Sequence, residues 1–170
     1  IILMLTLQTV AQSVGGIDID RIKRATVFIY QARNVDNNLI VTCVTTGTIV
    51  SFDGLILTNA HSTVMGSTCN GNILIVALNV DLDEPPIPKY RADIAQVDEG
   101  LDIALLRISR ELDGRLIGDG TLPSLPFVEI GDSSEVVIDQ NITVVGYGDI
   151  NNQPVEVTRG TITAFITEPR

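Results

Sequence analysis

Short runs of Val, Ile, Leu and Thr, punctuated by Gly, Asp, Asn and Pro, recur from residue 25 onward. Alternation with a period near two, together with the β-branched bias, predicts strands. Residues 26–31 form the first. Residues 39–44 and 48–50 form a second, with Gly47 read as a bulge or bend between its two parts. Asp53-Gly54 predicts a hairpin turn answered by a strand over 55–58. Strands over 73–80, 90–97 and 103–108 follow, and Pro85, Pro86 and Pro88 stiffen the loop before residue 90. No long amphipathic helix interrupts this series. Closely spaced strands with turn signals predict an all-β barrel or sandwich. A parallel sheet would need crossover helices, for which the spacing leaves no room.

Residues 110–125 break the pattern with Gly, Asp and Pro and read as a linker. Strands are expected again at 127–130, 142–146, 155–158 and 160–166. The expected organisation is a leader segment over 14–24, a barrel over 25–109, the linker over 110–125, and about half of a second such unit over 126–170. A half-built unit would leave strand edges and apolar faces uncovered.

Composition narrows the function. Hydrophobic residues are 45% of the chain, ample for a core, while aromatics are only 4%, so the core must be aliphatic. The net charge of −10 repels phosphate backbones and anionic lipid surfaces, which disfavours nucleic-acid and membrane-surface binding. The first residue is Ile, and the apolar start is far shorter than the roughly 18 residues a membrane span needs. With the small residues Ala11 and Ser13 after it, residues 1–13 read as the tail of a secretory signal, an ordinary N-terminal strand or helix being the alternative. Export to the periplasm, cell surface or medium is therefore expected. Two cysteines, Cys43 and Cys69, fit one disulfide in such a protein, against the alternative of two buried thiols. A bridge between them would contribute on the order of 3–4 kcal/mol by loop entropy.

The chain has a single histidine, His61, placed after the hairpin strand by Thr58-Asn59-Ala60. Asp102 opens the apolar run 103–108, where a carboxylate at the rim of a core, partly desolvated, needs a partner. An imidazole held by a rigid sheet and oriented by a carboxylate is the base of a nucleophilic hydrolase. Asp93 and Asp98 compete for that role, but neither precedes an apolar run of this kind. The cluster Asp81, Asp83, Glu84 lacks the glycine and ligand spacing of calcium loops.

The residues 47–61, with their Gly-rich hairpin and Thr-Asn-Ala-His ending, resemble the histidine segment of trypsin-like serine peptidases, in particular the HtrA/Deg branch. Thr45 stands where that branch often has Gly. Residues 101–108, 125–134, 142–148 and 158–164 resemble the family's later segments, in the right order. The resemblance implies a chymotrypsin-like double β-barrel, with the first barrel complete and the second partly present. It implies His61 as general base and acid, Asp102 as its orienting partner, polypeptide substrates, and no cofactor or metal. The family's Gly-x-Ser-Gly-Gly motif is absent from these 170 residues. The nucleophile is therefore expected beyond residue 170, and this polypeptide alone is expected to be inactive. Ser133 and Ser134 lie in the segment that opens the second barrel and are not taken as nucleophiles. The alternatives are a peptidase-like binding module without the serine, and an adhesion sandwich in which the motifs coincide by chance. A separation of His61 and Asp102 beyond about 6 Å, out of hydrogen-bond reach, would exclude the enzyme.

Overall fold

A computed structural model describes residues 16–64, 66, 69–118, 121–148 and 153–165. The segment read as a secretory signal lies outside them. Among the described residues the architecture is all-β apart from one short helix and a single 3-10 turn. Helix α1 is Ile19–Ala25, and the strands are β1 Thr26–Val35, β2 Asn38–Ile49, β3 Leu55–Thr58, β4 Ile73–Leu78, β5 Ile87–Asp98, β6 Ile103–Glu111, β7 Asn141–Gly146 and β8 Glu156–Thr161. The first six close into an antiparallel barrel in the order β1-β2-β3-β6-β5-β4, and β7 pairs with β8 in a separate two-stranded sheet.

Alternation along the strands puts Val27, Ile29, Ile49, Ile56, Val76, Ala104 and Leu106 in the barrel core. Each large aliphatic side chain so buried contributes roughly 1.5–3 kcal/mol. Strand β1 is buried on both faces. Its outward Phe28 meets the edges of Tyr30 and Tyr147, and Tyr147 donates its phenol to Asn79 Oδ1 at 2.9 Å. One aromatic cluster thus fastens the end of β7 to the barrel. The β7–β8 pair itself is largely exposed, including Val144, as are Val137 and Ile138 before it.

The two hairpins have different chemistry. Asp36 and Asn37 both take positive φ between β1 and β2, which Asp and Asn tolerate better than other side chains. Gly54 has φ +83, and a Cβ there would lie 2.8 Å from Leu122, so this turn needs glycine twice over.

Several local expectations change; the strands expected at 155–158 and 160–166, for instance, are the single strand β8, which ends at Thr161. Gly47 is neither a bulge nor a bend: pairing runs evenly from Val27↔Gly47 to Gln31↔Cys43, and the register shifts only after Gln31. The glycine is there for space, because a Cβ would sit 2.6 Å from Ile29 Cδ1 and 2.7 Å from Ile56 Cγ2. The stretch 19–25, most of it inside the segment read as a leader, is a helix. Asp18 caps it through the Arg21 N–H at 3.0 Å, and Lys23 and Arg24 close its last turn. Strand β5 begins at Ile87, inside the proline-rich stretch. Pro88 is accommodated because the register with β4 shifts there, so its missing N–H breaks no regular ladder. Residues 127–130 form no strand, since Val128 N–H finds only Ile49 O, at 3.0 Å. Leu125 is buried in the barrel core, so the segment after β6 packs as part of the first unit. No helix among the described residues is long and apolar enough to cross a membrane.

Substituting Gly47→Ala is expected to cost about 1–3 kcal/mol by overpacking the Ile29–Ile56 contact, read from the urea midpoint. An unchanged midpoint would mean that the core yields freely there. All three tyrosines are also informative. Burial pushes the phenols of Tyr30, Tyr90 and Tyr147 above their ordinary 10.0. A raised folded value means that the unfolded chain gives up these protons first. The stability they contribute is therefore complete below pH 10 and lost as pH climbs above it. Phenolate absorbance in the folded protein is expected to rise at higher pH than in the urea-unfolded chain, and coincident curves would contradict the packing.

Candidate active site

Pairing of β3 with β6 brings the two singled-out residues together. Thr58 lies opposite Ala104 in the antiparallel ladder. Continuing past that pair, the chain runs forward from Thr58 to His61 and backward from Ala104 to Asp102. Ala60 N–H extends the ladder by donating to Asp102 O at 3.2 Å. The His61 imidazole then reaches the carboxylate directly, with Nδ1 at 2.7 Å from Asp102 Oδ2.

Asp102 holds the whole segment 59–61 rather than the imidazole alone. Its Oδ1 accepts the main-chain N–H of His61 at 2.8 Å, and Oδ2 also accepts Asn59 Nδ2 at 3.1 Å. Its φ of +53 turns both the carbonyl and the carboxylate toward this segment. Asp is among the few side chains that enter this region at modest cost. The β5–β6 turn is shaped for it: Asp98 Oδ1 accepts Leu101 N–H at 3.0 Å, and Glu99 O accepts Asp102 N–H at 3.3 Å.

These contacts set the electrostatics. Hydrogen bonds from the His61 main chain, then from its imidazole, then from Asn59 hold the Asp102 carboxyl below its ordinary 3.8. It is therefore ionised at neutral pH. A carboxylate can only accept, so Nδ1 carries the proton and Nε2 of the neutral ring is left with its lone pair. That is the tautomer a general base requires.

The Asp102 side chain is 42% exposed, a partly desolvated position, while that of His61 is 67% exposed. A pocket of about 220 Å³ beside them is lined by Ala60, His61, Val64, Gly66, Glu99 and Asp102, all from the first barrel.

The other candidates lie elsewhere. Ser133 and Ser134 form the 3-10 turn capped by Asp132, whose Oδ1 takes the Ser134 N–H at 2.8 Å, and neither lines this pocket. Asp93 faces Arg110 at 3.9 Å. Asp81 turns back on its own chain to accept Asp83 N–H at 3.0 Å. Cys43 and Cys69 are joined by a disulfide, which ties the connection carrying His61 to β2. Asn59 had no assigned role in the sequence. Its position two residues before the histidine, at a strand end, was the available signal.

The profile of the trypsin-like peptidase domain matches residues 45–169. The chain belongs to this family. No curated protein matches the sequence. The peptidase domain thus includes both His61 and Asp102 within its matched span, along with the β7–β8 pair.

The lowered Asp102 value has a sign. A depressed folded value means that the stability is present above the ordinary 3.8 and is lost as pH falls through the lowered one. Asp102→Asn is expected to melt below the parent protein at neutral pH, with the gap closing as both are acidified. A gap that stays constant into acid would show that the carboxylate's charge plays no part in holding residues 59–61.

Proposed function

We propose that this chain is the histidine- and aspartate-bearing part of an exported serine-type endopeptidase. The observation that supports this most directly is the 2.7 Å contact of His61 Nδ1 with Asp102, in a peptidase domain, with the imidazole largely exposed beside a pocket. In this reading a serine hydroxyl supplied from outside these 170 residues gives its proton to Nε2 as its oxygen attacks the peptide carbonyl. The imidazolium then forms next to an ionised Asp102, which stabilises it electrostatically. The same proton is returned to the leaving amine, and water repeats the sequence on the acyl-enzyme. Main-chain N–H groups of the second barrel are the expected stabilisers of the oxyanion. Export is supported by the Cys43–Cys69 disulfide, which persists in oxidising compartments. Kinship with the HtrA/Deg branch rests on the motif order described above.

The test uses the protein with its serine. A fluorophosphonate probe is expected to label it, and His61→Ala is expected to lower kcat for peptide hydrolysis by about 10⁴-fold or more. The 170-residue polypeptide alone is expected to leave casein intact. A full-length protein that neither reacts with the probe nor cleaves peptides would turn the reading to a peptidase-like binding module. Robust cleavage by the 170-residue polypeptide, abolished in His61→Ala, would overturn the external serine.

A further inference from the structure

The turn that follows His61 rests on a side chain from inside the barrel. Gln31 takes an inward position on β1, in line with Val27 and Ile29, and is 0% exposed. An amide is out of place among such neighbours unless all its hydrogen bonds are made. Here they are. Nε2 donates to Thr63 O at 3.1 Å and Val64 O at 3.4 Å. Oε1 accepts Gly71 N–H at 2.9 Å and the Thr42 hydroxyl at 2.9 Å. The amide nitrogen and oxygen each have two partners, although the single Thr42 hydroxyl proton is shared with Gln31 O at 3.1 Å. The orientation of the amide follows from its partners, since carbonyls can meet only its NH₂ and an N–H only its oxygen.

The surroundings are built around this group. Pairing of β1 with β2 passes from Gln31↔Cys43 to Ala32↔Val41, which leaves Thr42 as the extra residue of a bulge and brings its hydroxyl to Gln31. Gly71 lies against the β1 backbone so closely that a Cβ would be 2.6 Å from Ala32 O, and Asn72 N–H donates to that same oxygen at 3.0 Å. The Gln31 carboxamide therefore grips both limbs of the β3–β4 connection: the outgoing limb just after His61, and the returning limb just before β4. The disulfide holds the same connection from the β2 side.

We propose that Gln31 is a positioning residue for His61. By tying Thr63, Val64 and Gly71 to the barrel interior, it sets where the imidazole meets Asp102. Its catalytic consequence rests on the general-base role proposed above, whereas its geometric consequence does not. A near-isosteric Met at position 31 removes the donors and the acceptor while filling the space, and leaves two carbonyls and an N–H unpartnered.

His61 is the only histidine in the sequence, so imidazole-labelled protein gives one assignable set of NMR signals. In the parent protein, the Nδ1–H resonance and ring nitrogen shifts are expected to report the hydrogen bond to Asp102. Gln31→Met is expected to retain a cooperative melt and to lose or broaden that Nδ1–H resonance. Thr42→Val, a change at a half-buried strand position, is expected to shift the same signals in the same direction by less. A folded Gln31→Met protein with unshifted His61 signals would overturn the proposal. Should Gln31→Met fail to fold, unshifted signals in Thr42→Val would overturn it instead. In full-length enzyme the loss is expected in kcat with KM held, which a general loss of folded protein does not produce on active-site titration. If peptide hydrolysis proves absent altogether, the NMR comparison still decides the geometry, so failure of the peptidase reading and failure of this one are separable.

Discussion

Strand β1 bonds to β2 on one side and to β4 on the other, and this double pairing closes the barrel. Its register dictates what faces each way. A slip of one residue would put Phe28 and Tyr30 into the core and expel Val27, Ile29 and Gln31, because side chains alternate with a period of two. With the observed register, the aliphatic pair fills the interior and Phe28 meets Tyr30 and Tyr147 outside. Gln31 arrives at the barrel mouth beneath the His61 turn. The core, the attachment of the second unit and the hydrogen bonds to the turn after His61 all follow from one strand's alignment.

Closure also explains where the chemistry sits. In the ring β1-β2-β3-β6-β5-β4, strands β3 and β4 stand on opposite sides. The chain between them must cross the mouth of the barrel, and it carries His61 as it does so. The β5–β6 turn emerges beside β3 at the same end and carries Asp102. Two residues far apart in sequence are therefore neighbours for a topological reason, and the 2.7 Å contact is the local completion of a ladder that already brings Thr58 opposite Ala104.

The dyad is assembled without being enclosed. Asp102 is kept ionised by hydrogen bonds, against the opposing effect of desolvation, and its partner's side chain is largely exposed. This division suits a two-barrel enzyme. The first barrel brings the imidazole and the carboxylate together on its own, as the proposed base and its orienting partner need, while a low-dielectric cleft requires the wall that a second barrel supplies. The described part of that second unit is one antiparallel pair fastened through Tyr147, and a two-stranded sheet alone has little stability in water.

The strands, the Asp53-Gly54 hairpin and the candidacy of His61 and Asp102 were legible in the sequence because each rests on local chemistry. Alternating aliphatic residues make strands, Gly takes positive φ, and a lone histidine after a hairpin strand stands out. Helix α1 was equally local, with Asp18 as its cap and two cations in its last turn, but at seven residues it is too short for a periodic signal. The space kept by Gly47, the core position of Leu125, the grip of Asn59 on Asp102 and the four bonds of Gln31 were decided only by tertiary structure. Each depends on what lies across the barrel or on the next strand. A polar residue at an inward strand position signals that a partner must exist, and only closure of the barrel determines that the partner is the turn bearing His61.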